Sequence, residues 1–115
     1  MRDDRARLID MLEALKSIER YAVLGKDRFF EDELVRTFIV HQLQVLGEAG
    51  YKLSPDFRAR HTGIPWPKVL GIRHVLVHDY FRVNYDIVWG VIEADLPPLK
   101  AQLQGLLSEL KNRAQ

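Results

Sequence analysis

The chain reads as all-α, an antiparallel bundle of four main helices plus one short helical turn, and three observations carry that reading. Apolar residues recur at spacings of three and four through most of the sequence. Strand-like alternation persists nowhere. Glycines and prolines fall between the periodic stretches, as short inter-helix connections require.

The elements follow in order. Leu8, Leu12, Leu15 and Ile18, widened by Ile9 and Met11, predict an amphipathic helix over 2–24, with Gly25 as its stop. A second helix is predicted over 29–49. Leu34, Val35, Phe38, Ile39, Val45 and Leu46 form its apolar face, and Gly50 ends it. Ser54-Pro55-Asp56 joins a capping serine to a proline at the first helical position and an acid behind it, which predicts one short turn to about Arg60. His61-Thr62-Gly63-Ile64-Pro65-Trp66-Pro67 is a loop, because two prolines and a glycine break any ladder. The third long helix starts near Pro67 and ends near Phe81 or Arg82. Asn84 can cap a fourth from Tyr85 onward, with Ile87, Val88, Val91 and Ile92. Pro97-Pro98 must kink or restart that helix, since proline removes a donor and strikes the preceding turn. Leu99, Leu103, Leu106, Leu107 and Leu110 resume the pattern.

Bulk properties narrow the function classes. At 115 residues one domain over 1–115 is expected, large enough for a core without staples. With no cysteine, disulfides and thiolate metal sites are excluded, and a reducing compartment fits. The opening Met-Arg-Asp-Asp-Arg-Ala-Arg carries both signs of charge and does not read as a signal peptide. No apolar run approaches the ~20 residues needed to span a bilayer, so no membrane role is expected. A net charge of +1 argues against broad capture of duplex nucleic acid, and no DNA partner is expected, while room is left for a small basic cleft.

The chemistry concentrates in Arg73-His74-Val75-Leu76-Val77-His78-Asp79-Tyr80, which reads R-x-x-x-x-H-x-Y within an otherwise apolar helix. A guanidinium holds phosphate oxygens through a planar fork of donors. An imidazole moves protons near neutral pH. Tyr80 adds a hydroxyl open to modification. On a helix Tyr80 lies seven residues from Arg73, nearly on one face, whereas His78 lies five away and well around the cylinder. Arg73 and His78 therefore converge if the helix end is distorted or if a second chain contributes. A two-fold dimer brings two arginines and two histidines to one cleft. That suits RNA transesterification, which needs a base on the 2′-hydroxyl and an acid on the leaving 5′-oxygen.

Blander readings stand beside this one. Any single arginine or histidine on a helix is usually solvated, and Val75 to Val77 are core residues by pattern. His74 and His78 have the i, i+4 spacing of a zinc pair, with no glutamate between them and no obvious third ligand; Asp79, His41 and His61 serve only if the fold delivers them. No metal and no cofactor is expected. Trp66 and Trp89 read as core or interface aromatics. Arg58, Arg60, His61 and Lys68 could line an RNA groove or face water. The run His41-Gln42-Leu43-Gln44 could line the same cleft. Gly47, Gly50 and Gly71 are too scattered to cradle phosphate and suit close helix packing.

The chain resembles HepT-type toxins of the HEPN superfamily. The likeness runs through Arg2-Asp3-Asp4-Arg5, Leu46-Gly47-Glu48-Ala49, Ile64-Pro65-Trp66, the stretch from Gly71 to Phe81, Asp86-Ile87-Val88-Trp89 and Asp95-Leu96-Pro97. It implies a HEPN-type bundle that dimerises around the motif, acting as a metal-independent endoribonuclease in the prokaryotic cytoplasm. It implies pairing with an MntA-like minimal nucleotidyltransferase antitoxin, which adds AMP to the motif tyrosine, here Tyr80. By motif position Arg73 and His78 are the catalytic pair. His74, Asp79, Arg82 and His41 are possible substrate-binding residues. Two departures stand out: relatives show an Arg-Asn-x-Glu-like run where this chain has His41-Gln42-Leu43-Gln44, and a glycine where it has Arg82. A non-catalytic module that binds a nucleotide or partner remains the alternative. The RNA target and cut site are not legible in the sequence.

Overall fold

The computed structural model describes residues 3–77 and 83–113, with 74–77 described by helical backbone alone. Every regular element among the described residues is helical. Helix α1 spans Asp4–Ala22, α2 Lys26–Glu31, α3 Glu33–Lys52, α4 Pro55–Arg60, α5 Trp66–Val77 and α6 Tyr85–Gly90. A π-helical segment, Val91–Asp95, joins α6 to α7, Leu96–Arg113.

Helix α1 begins where the Asp3 carboxylate accepts the Ala6 N–H at 2.8 Å. It buries Leu8, Met11, Leu12, Leu15 and Ile18, the predicted stripe, mainly against α3. Gly25 does not itself terminate α1, which is capped at Val23; at φ 98° it instead turns the chain into α2, a conformation open mainly to glycine.

The predicted helix over 29–49 is two helices. Asp32 is extended (φ −106°, ψ 104°), and its carboxylate accepts the Leu34 and Val35 N–H groups at 3.0 and 3.3 Å. An aspartate that caps the next turn competes with continuation of the previous one. The split rotates the following face, so Leu34 is 82% exposed while Leu43 is buried. Gly50 does not end α3 but lies inside it.

The Arg28 guanidinium, and after it the Val35 N–H, hold the Asp32 carboxyl below the usual carboxylate range. A lowered folded value contributes stability above the unfolded value, near pH 4, that is lost as pH falls through the folded one. Asp32→Asn, which keeps a capping oxygen without the charge, is therefore expected to flatten the pH dependence of stability in the acid range. Urea midpoints measured between about pH 2 and 5 check this, and identical slopes in the two proteins would refute it.

Ser54 caps α4 as predicted, its hydroxyl accepting from the Phe57 N–H. The Asp4 carboxylate accepts from both the Ser54 N–H and its hydroxyl at 2.8 Å. This joins the start of α1 to the end of α3 and makes the two antiparallel. Asn84 caps α6 through the Asp86 and Ile87 N–H groups. From Tyr85 to Arg113 the backbone stays helical through both prolines. The π turn resolves the steric problem, with the Leu96 N–H reaching back to the Val91 carbonyl. Its wider winding moves the carbonyls that the Pro97 and Pro98 rings would otherwise strike.

The core joins α1, α3, α5 and α7, with Leu8, Ile39, Leu43, Leu46, Val69 and Leu103 almost wholly enclosed. Both tryptophans are buried. Among the described residues no polar or charged one is buried. No helix among them is long and apolar enough to cross a membrane.

Candidate active site

Helix α5 carries the first part of the motif, and two devices set its position. The first is the loop before it. The His61 carbonyl accepts from the Trp66 indole N–H at 2.9 Å and from the Ile64 N–H at 3.3 Å. That double acceptance fixes where α5 starts, one residue ahead of the predicted Pro67.

The second device is a close crossing of α3 and α5. A Cβ added to Gly50 would come within 2.8 Å of Val69 Cγ1, and one added to Gly47 within 3.0 Å of Arg73 Cβ. The pairs 50–69 and 47–73 run in opposite directions, so the helices are antiparallel, with Val69 and Arg73 one turn apart on the contact stripe. Glycine packing is therefore real at Gly47 and Gly50. It is not at Gly71, where a Cβ would meet nothing.

Arg73 leaves this crossing into a cradle built by α3. Its Nε forms an ion pair with Glu48 Oε1 at 2.7 Å. Its guanidinium carbon lies 4.4 Å from the centre of the Tyr51 ring. Gly47, Glu48 and Tyr51 fall within five residues on one side of α3, so a single helical face provides the space, the carboxylate and the aromatic wall. The Arg73 side chain is 39% exposed and that of Glu48 44%, so the ion pair is screened and worth only about 0–1 kcal/mol of stability. Its effect is on direction. A long, flexible side chain is held with its cation accessible, ready for an anionic ligand.

Glu48 also borders a polar groove of ≈ 630 Å³ between α1 and α3. His41, Gln42 and Gln44 line the same groove, opposite Arg7, Asp10 and Glu13. The His41-Gln42-Leu43-Gln44 run thus splits: Leu43 enters the core, and its polar neighbours face a groove that shares Glu48 with Arg73. The structure brings His41 to this neighbourhood without a contact to Arg73.

Three of the four basic residues around the start of α5 are engaged elsewhere. Arg60 pairs with Asp56 at 3.3 Å, Lys68 with Asp95 at 3.2 Å, and the His61 ring stacks on Phe57 at 4.5 Å. Lys68 and Arg73 lie five residues apart on α5, on different sides of it. These three do not extend the cradle.

His78, Asp79, Tyr80 and Arg82 lie outside the described residues, as does the side chain of His74. Among the described residues no three His, Asp or Glu side chains gather as a metal would require.

Sequence reasoning missed Glu48 and Tyr51 as partners of Arg73. The only signal was the i, i+3 spacing of two polar-edged residues at the end of an apolar helix face. Which helix they meet is a tertiary matter.

Comparison with known proteins points to one family. The family described as ribonuclease HepT-like matches residues 11–106. A Caldanaerobacter subterraneus protein named "Putative RNase" is 35% identical over 94 residues, covering 82% of this chain and 84% of its own. A Methanocaldococcus jannaschii protein of the same designation is 28% identical, covering 90% of this chain and 95% of its own. A "Probable ribonuclease HepT" of Thermococcus cleftensis is 29% identical, covering 91% and 96%. No solved structure matches the chain significantly. With its all-helical bundle, its R-x-x-x-x-H-x-Y motif and a matched region that includes α3 and α5, the chain belongs to the ribonuclease HepT-like family.

Proposed function

We propose that this protein is a metal-independent endoribonuclease, the toxin of a HepT/MntA-like (type VII) toxin–antitoxin pair, acting as a homodimer in the cytoplasm. The observation that carries the reading is Arg73, oriented by Glu48 yet open to solvent on the helix that leads into His78. Relatives named as ribonucleases support RNA as the substrate.

In this reading a base removes the proton of an RNA 2′-hydroxyl, and that oxygen attacks the adjacent phosphorus. The bond to the 5′-oxygen breaks as an acid protonates it, leaving a 2′,3′-cyclic phosphate and a 5′-hydroxyl. His78 of each protomer supplies one of the two proton-transfer roles. Arg73 carries the extra negative charge that gathers on the non-bridging oxygens in the transition state. His74, Asp79, Arg82 and His41 are the candidates for holding the flanking RNA. Tyr80, two residues beyond His78, is the site where an MntA-like nucleotidyltransferase adds AMP. The added phosphate would compete with RNA for Arg73 and fill the cleft.

The test is cleavage of total RNA by the protein purified without its partner, in EDTA, after an intact mass has verified that it is unmodified. The expected result is fragments with cyclic phosphate ends. No cleavage by unmodified protein would overturn the reading and favour a non-catalytic nucleotide- or partner-binding module.

A further inference from the structure

We infer that Glu48 is a positioning residue for the reaction, setting the direction of the Arg73 guanidinium without touching RNA itself. The inference rests on the ribonuclease reading above.

Three features of α3 support it. Gly47 admits the α5 backbone so closely that an added Cβ would sit 3.0 Å from Arg73 Cβ and 3.2 Å from its nitrogen. The root of the arginine side chain is therefore fixed to α3. Glu48, the next residue, pairs its carboxylate with Nε at 2.7 Å. Tyr51, one turn along, sets its ring face 4.4 Å from the guanidinium carbon. Root, edge and face of one side chain are thus all set by a single turn of a neighbouring helix. With Nε engaged by Glu48, a phosphate is met by the terminal nitrogens, Nη1 and Nη2. The orientational freedom that an arginine loses on binding is already lost in the free protein.

This role separates from two others by sign. A carboxylate beside an RNA cleft repels the phosphate backbone, so a residue with only that effect would raise both binding and turnover when removed. A structural residue would lower the melting temperature, yet this pair is too exposed for its loss to register there. A positioning residue instead lowers kcat while leaving RNA binding equal or tighter.

The experiment compares wild type, Glu48→Ala and Glu48→Gln by kcat, KM and affinity for an RNA blocked by a 2′-deoxy substitution at the cut site. Glu48→Ala is expected to lose about tenfold or more in kcat, with affinity unchanged or improved and the melting temperature retained. Glu48→Gln keeps an oxygen in place beside Nε, and is expected to restore most of the rate. In an Arg73→Ala background, Glu48→Ala is expected to cost nothing further, because the group it directs is gone. Unchanged kcat in Glu48→Ala would overturn the inference. So would a Gln variant as slow as the Ala variant, or a full additional loss in the Arg73→Ala background. Each of these leaves the ribonuclease reading standing, whereas a wild type that never cleaves overturns both.

Discussion

Alanine at position 78 is expected to remove RNA cleavage almost entirely, by about 10²–10⁴-fold for loss of general acid–base catalysis. The upper part of that range is expected for a homodimer. One substitution then removes both histidines from the shared cleft, and neither the attacking nor the leaving oxygen has a proton partner. The proposed phosphate-holding role of Arg73 is untouched in that variant, so affinity for blocked RNA should persist while turnover fails. That separation marks a chemical role as opposed to a binding one. His74→Ala is the matched control, since His74 shares the motif and differs in assigned role. If His78→Ala cleaves at the wild-type rate, the assignment is wrong. If His74→Ala abolishes turnover instead, the proton-transfer role moves to His74.

Truncating Leu46 is expected to produce the largest loss of stability, about 2–5 kcal/mol for a fully buried leucine cut to alanine. Leu46 is 0% exposed and lies on α3, which packs on both α1 and α5. The side chain removed there touches the centre of the core, and close packing on both sides limits how far the cavity can collapse. Against a total stability of about 5–15 kcal/mol the change is severe, and the melting temperature should fall by on the order of 10 °C or more. Urea unfolding gives the same quantity through its midpoint. Because Leu46 precedes Gly47 and Glu48, activity below the melting temperature should fall as well, through a looser α3–α5 crossing. A midpoint within a few tenths molar of wild type would show that Leu46 is not the enclosed residue the packing describes.

Much of the fold was legible because helices are local objects. The stripe of α1, the Ser54-Pro55-Asp56 cap of α4 and the Asn84 cap of α6 all lie within one or two turns of the atoms they satisfy. Misreadings came where two local preferences compete. Asp32 could continue a helix or cap the next one, and the cap prevailed because Arg28, Leu34 and Val35 all donate to its carboxylate. Gly50 resembles a helix stop but serves as a contact point, where its missing side chain admits Val69. Pro97 and Pro98 predicted a kink or restart, and a π turn, Val91–Asp95, stands immediately before the α7 segment that holds them.

By itself the sequence determined the helical class, most helix starts, the family and the identities of Arg73, His78 and Tyr80 as the motif's polar members. Those properties depend on composition, spacing and residue type, which short-range physics turns directly into structure. Only the tertiary structure decided what Arg73 is bound to. Glu48 and Tyr51 lie more than twenty residues before it, and nothing in either segment names the other. Their meeting depends on the rotation of α3 after the Asp32 break, on the start of α5 set by Trp66, and on two glycines that let the helices close. Each of these is a small angular choice, and a rotation of one residue, about 100° on an α-helix, would have turned Glu48 toward a different neighbour.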